Sequence, residues 1–189
     1  MVGIHDASLN RTVSPFSEIS TNASVLDSII PITPRLIGEI AFQLDRRLLS
    51  YIFNGHAQVS GKIRRRFYGF TIQNIPDMIE IECMNADGSQ DEQARMAMSY
   101  RYQYIFGRMR ALGYDMKFHP MFSVRMVNQF GLLNVSGEGM GQSLQLQDPD
   151  ILQTILSKLV PKEDLRDVLI LLDCLVFLSH DEGKPLFIY

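Results

Sequence analysis

The chain is poor in the residues from which cross-linked or reactive sites are usually built. Only two cysteines, Cys83 and Cys174, occur in 189 residues, and both sit in apolar segments. That is too few for a disulfide framework and predicts reduced thiols in an intracellular compartment. Neither lies in a recognised nucleophile context, and no serine sits in a strand–turn–helix elbow. The four histidines, His5, His56, His119 and His180, have no i, i+4 histidine partner and no neighbouring cysteine, so no zinc site and no other metal is expected. His119, ahead of Pro120, reads as a helix-start residue. His180 lies beside Asp181 and Glu182, which leaves an acid–base or metal role as its lesser alternative. The glycines of "GEGMG" (137–141) resemble a phosphate cradle only superficially, because no lysine follows at P-loop spacing and no strand precedes. No cofactor site is expected.

Long apolar runs are also missing. None approaches the ~20 residues that span a bilayer. The opening stretch, "MVGIHDASLNRTVSPF", lacks the charged start and continuous apolar centre of a secretory leader. The expectation is a protein neither secreted nor inserted in a membrane, which leaves the glycosylation-like triplets at Asn10, Asn22 and Asn134 without weight. Nor is there an excess of positive charge. Lys and Arg number 18 against 21 Asp and Glu, for a net charge of −3. A role on nucleic acid would therefore have to rest on a local patch.

What is present is helical periodicity. Residues 1–33, rich in Ser, Thr and Asn, read as a flexible arm with a docking segment at Val25–Ile30. Order begins at "TPRLIGEIAFQLDRRLLSYIF", where Thr33 can cap a helix opened by Pro34. At about 100° per residue, Leu36, Ile37, Ile40, Ala41, Leu44, Leu48 and Ile52 share one broad arc, widened by Phe42 and Leu49. Arg35, Glu39, Gln43, Arg46 and Ser50 are assigned to the opposite, polar side. A stripe so wide predicts a central helix touching several neighbours.

Further along, "AQVSGKIRRRFYGFTI" is open between a small β-hairpin and an irregular loop. "NIPDMIEIECM" predicts a short helix near Pro76. Ser89 and Glu92 fit a capping box for a helix ending at Leu112, with Gly113 as its stop. Met98, Tyr102, Ile105, Met109 and Leu112 recur along that helix at a spacing that suits either an internal face or a coiled coil. Another helix is predicted in "HPMFSVRMVNQFG". Residues 134–147 read as a linker and a possible lobe boundary. Asp148 and Pro149 start a helix with Ile151, Leu152, Ile155, Leu156 and Leu159 inward, and a last helix covers 162–179. The expected fold is mainly α: a compact domain of five to six helices over 34–189, with room for one hairpin.

Two features call for chemistry. Asp45 and Asp173 each interrupt an apolar helix, and a buried carboxylate must be paired or hydrogen-bonded. They are candidates for a buried charge network with an arginine. Lys62, Arg64, Arg65 and Arg66 stand directly before Phe67, Tyr68 and Phe70. These cations suit an acidic protein surface such as a polymerised-tubulin lattice, or phosphates with a ring stacked on a base, or only water.

Several separated blocks resemble the C-terminal domain of the speriolin and speriolin-like family. They are "LIGEIAFQLDRRLLSYIF", "FYGFTIQNIP", "LGY" at 112–114, "HPMFS", "VNQFGLL" and "GKPLF", in matching order across most of 35–189. The resemblance implies a non-enzymatic protein of the centriole, centrosome or sperm neck and flagellum. It would be cytoplasmic and cytoskeletal, with centriolar, axonemal or microtubule-associated proteins as partners. Two departures stand out. The family's long N-terminal region of coiled-coil character is replaced by a short arm, and the loop Gly55–Arg66 is longer and more basic. "FYGF" belongs to the shared framework, so the rings are expected to pack inward while the cations face out. The alternative function is a nucleic-acid-binding module using 62–66. A salt titration separates the two. The expected result is no RNA or DNA binding at low salt that depends on these cations. Binding that weakens with salt and is lost when all four become Ala would establish the alternative.

Overall fold

The computed structural model describes residues 33–53, 70–133 and 147–188. Seven helical segments lie in these stretches: α1 (Thr33–Ile52), α2 (Phe70–Gln73), α3 (Ile75–Glu82), α4 (Glu92–Ala111), α5 (His119–Phe130), α6 (Pro149–Leu159) and α7 (Lys162–Glu182). Among the described residues there is no strand, only an isolated antiparallel bridge between Met84 and Gln90. The mainly α architecture agrees with the sequence, and so does the helix number once the four-residue turn α2 is set aside, leaving six. Of the hairpin segment, residues 57–69 lie outside the described residues, and Phe70–Gln73 is a helical turn rather than a strand. The arm lies outside the description up to residue 32, as do linker residues 134–146. On either side of that linker, α5, α6 and α7 all pack on α1.

The breadth of the apolar arc on α1 explains the architecture. Helices α2, α4, α5, α6 and α7 each pack against it, while α3 packs on α4. Leu36, Ile37, Ile40, Ala41, Leu44, Leu48 and Ile52 are all buried. At the crossing with α5 the two backbones come so close that a β-carbon on Gly38 would overlap the carbonyl oxygen of Gly131. Gly131 ends α5 at φ +72°, a conformation that suits glycine. Glycine is therefore a packing requirement at 38 and a conformational one at 131.

Local signals set the helix ends. Asp148 caps α6, its carboxylate accepting from Asp150 N at 2.9 Å, with Pro149 next. Gly183 stops α7 in the left-handed region. The cap of α4 differs from the capping box. Asp91 accepts from Ala94 N at 2.9 Å, and Ser89 instead donates to Asp87 at 2.6 Å within the preceding turn. Asp91 stands three residues before that amide, the reach an Asx side chain needs. His119 is the first residue of α5, the helix-start position expected of it.

Helix α7 corrects one expectation. Asp173 is exposed, not buried. Arg166, Asp173 and His180, spaced seven apart, mark the solvent side of α7, while Val168, Leu171, Leu172, Leu175 and Leu178 are buried. Two helical turns separate successive members of the polar set, so Asp173 belongs to an exposed stripe rather than interrupting a core.

Substituting Gly38→Ala tests the close crossing. Propensity alone favours Ala by ~1 kcal/mol, but the overlap with Gly131 should reverse the sign and destabilise by about 1–3 kcal/mol. A urea denaturation curve checks it.

Candidate functional site

The polar side assigned to α1 does not face water as a whole. Arg35, Arg46 and Ser50 are exposed, but Glu39, Gln43 and Arg47 are 3%, 1% and 3% exposed. These three, at i, i+4 and i+8, form one ridge of the helix. The segment 185–188, containing most of "GKPLF", lies along that ridge. Arg47 donates to the carbonyls of Pro185 at 2.8 Å and Leu186 at 3.0 Å, and pairs with Glu182 at 3.2 Å. Gln43 Nε2 donates to the Ile188 carbonyl at 2.9 Å and to Glu39 at 2.8 Å. The second Glu39 oxygen accepts from Leu133 N at 3.1 Å, just beyond α5. Gln147 joins from the other side, accepting from Phe187 N at 3.0 Å. A backbone segment outside helix and sheet has no regular partners for its N–H and C=O groups, and this polar ridge supplies several of them.

Electrostatics fit the geometry. Burial pulls the Arg47 pKa down, and the Glu182 carboxylate opposes that shift. Lys184 approaches the same Glu182 carboxylate at 3.2 Å from the surface. The signal for Arg47 is present in the sequence. On the wheel it falls between Leu36 and Ile40, inside the apolar arc, where a guanidinium requires the same explanation as Asp45.

Asp45 is completely buried. It lies near Tyr114, whose phenol is pushed well above its ordinary value by burial first, then by Asp45 and Cys174. Asp45 and Asp173 do not form one network, since the first is in the core and the second on the surface. Beside Tyr114 stands His119, with ring centroids 4.8 Å apart in a stacked arrangement. His119 Nδ1 accepts from Asp115 N at 2.7 Å, and Nε2 lies 3.5 Å from Asp167. Burial lowers the His119 pKa from 6.5, with Asp167 opposing it. The ring is therefore held mainly neutral at neutral pH. Both thiols are buried, and burial drives the Cys174 pKa up to about 12 and raises that of Cys83. The described histidine and cysteines in the core are thus held in their uncharged forms, as structural groups.

Among the described residues no cluster of His, Cys, Asp or Glu could hold a metal ion. No described helix is long and apolar enough to cross a membrane. Lys62, Arg64, Arg65 and Arg66 lie outside the described residues, as do Phe67 and Tyr68. Of the shared framework that follows, Ile72 and Ile75 are fully buried.

A domain helical throughout its described residues and organised on one central helix, with its C-terminal segment clasped by that helix, is the class that these features define. The family model described as the speriolin C-terminus matches residues 36–189, and this chain belongs to that family. Speriolin of Mus musculus is 40% identical over 156 residues, covering 82% of this chain and 31% of the relative. Speriolin of Homo sapiens is also 40% identical over 156 residues, covering 82% of this chain and 25% of the relative. The chain thus matches about a third or less of these relatives' length. No solved structure matches it. The matched region includes both Arg47 and the segment it holds.

Replacing Arg47 by Met tests the clasp. The change leaves two carbonyls without donors and the Glu182 carboxylate without its buried cation, so about 3–5 kcal/mol of stability should be lost. Arg95→Met, which removes an exposed pair with Glu92 at 2.7 Å, should cost no more than about 1 kcal/mol. Chemical denaturation of the two variants side by side measures the difference.

Proposed function

We propose that this chain is a non-catalytic adaptor of the centriole, centrosome or sperm neck, working through protein–protein contacts. The observation that carries the reading is the family match over 36–189, together with two speriolins at 40% identity. The chemistry of the interior supports it. Arg47, Glu39 and Gln43 are engaged in holding backbone, and His119, Cys83 and Cys174 are enclosed in uncharged form. Groups of this kind position a fold rather than turn over a substrate.

The recognition elements of such an adaptor are its surfaces. The basic cluster Lys62, Arg64, Arg65 and Arg66 suits an acidic cytoskeletal lattice, and long-range charge attraction would bring the two together. Cytoskeletal, centriolar or axonemal proteins are the partners that fit this reading, in the cytoplasm and away from membranes. Family functions that reside in the unmatched two thirds or more of the longer relatives are not carried over.

The test is localisation in developing sperm of the full chain, tagged at its N-terminus so that the clasped C-terminal segment is undisturbed. Enrichment at centrioles, the sperm neck or the flagellar base is expected, and proximity labelling there should return cytoskeletal neighbours. A diffuse signal with no enrichment at any of these sites would overturn the reading.

A further inference from the structure

Helix α4 carries apolar residues on two sides. Met98, Ile105 and Met109 are buried, but Met96 is 67% exposed and Tyr100 71% exposed. On the helical wheel Glu92, Met96, Tyr100, Gln103, Gly107 and Arg110 fall in one arc of the outer face, at the i, i+3, i+4, i+7 spacing of a helix-packing seam. All six are exposed.

Gly107 is the informative member. Glycine is the poorest helix former after proline, yet it sits inside a helix of 20 residues. A β-carbon there would meet nothing within 4 Å. Its backbone is not in the left-handed region, unlike Gly88, Gly113, Gly131 and Gly183. Nothing within the described fold therefore calls for glycine, whereas at Gly38 the need is plain. Close approach by another backbone or side chain supplies a reason.

The charges along the arc identify that neighbour. On this face the first turn carries Glu92, which also holds Arg95 at 2.7 Å, and the last turn carries Arg110, while Arg108 lies off it over the Phe177 ring, so the face is acidic at one end and basic at the other. Such a polarity is complementary to itself when reversed. We propose that this outer face of α4 pairs with α4 of a second copy of the chain, antiparallel, about a two-fold axis between residues 101 and 102. In that register Met96 sits over the partner's Gly107, Tyr100 lies beside the partner's Gln103, and Glu92 stands opposite the partner's Ala111, within one residue of the partner's Arg110. A parallel pair would instead set Glu92 against Glu92 and Arg110 against Arg110, which like-charge repulsion opposes. The contact is isologous, so it closes at two copies.

Sedimentation of the full chain over a concentration series tests this. The expected result is a reversible dimer. Glu92→Arg and Arg110→Glu each weaken it several-fold, and the two together restore near wild-type affinity, because the charges are exchanged across the interface. Tyr100→Glu weakens it at least tenfold. Gly107→Leu, which helix propensity favours, weakens it as well while the thermal midpoint of the diluted protein does not fall. Circular dichroism on each variant separates interface loss from unfolding, and the charge exchange still decides if Tyr100→Glu does not fold. A monomer at every concentration leaves the face for a different partner and overturns the proposal. So does a dimer indifferent to these substitutions, and a double charge exchange that fails to rescue overturns the antiparallel register.

Discussion

A guanidinium enclosed in the core is the constraint on which the rest of this structure depends. Arg47 is buried inside the apolar arc of α1, and an unpaired charge there would be severely destabilising. It is tolerated because α7 brings Glu182 to it and because the chain then bends to present the Pro185 and Leu186 carbonyls. The arrangement fixes the direction in which the backbone leaves α7, and with it the placement of Leu186 and Phe187, both buried. Glu39 and Gln43 extend the same ridge to Leu133 and Ile188. One face of one helix thus ties together the exit of α5, the end of α7 and the closing segment.

The fold was largely legible because its dominant signal is periodic. The wide arc of α1 predicted a central helix, and Asp148, Pro149 and Gly131 marked ends that the structure keeps. Polar residues with interior roles were less legible. Glu39 and Gln43 were placed on the water side because hydropathy carries no information about a backbone segment arriving from far along the chain. Arg47 lay within the apolar arc, and the rule that flagged Asp45 applied to it equally. Asp173 failed in the opposite sense: surrounded in sequence by Leu and Cys, it looked enclosed, but its seven-residue relation to Arg166 and His180 placed it outside. Local composition misled in both cases, and position on the wheel was informative. The cap of α4 was a smaller instance, two acceptable side chains offering alternative start positions for one helix, of which Asp91 takes the role.

The enclosed polar groups also separate two kinds of sequence requirement. Residues such as Gly38, Arg47 and His119 answer to the interior. Met96, Tyr100 and Gly107 have no comparable role within the described fold, and their chemistry is that of a surface that meets another surface. Enclosed, uncharged side chains inside and exposed apolar residues outside are the features on which the proposed adaptor role rests.

Arg47 and Glu182 stand 135 positions apart, and that separation has a consequence during synthesis. The ribosome completes α1 long before it makes the acid and carbonyls that neutralise its charge. Over that interval the helix has a cation with no low-energy place in a dry core, so early collapse around it is disfavoured. Native packing of this ridge must wait until the closing segment has emerged.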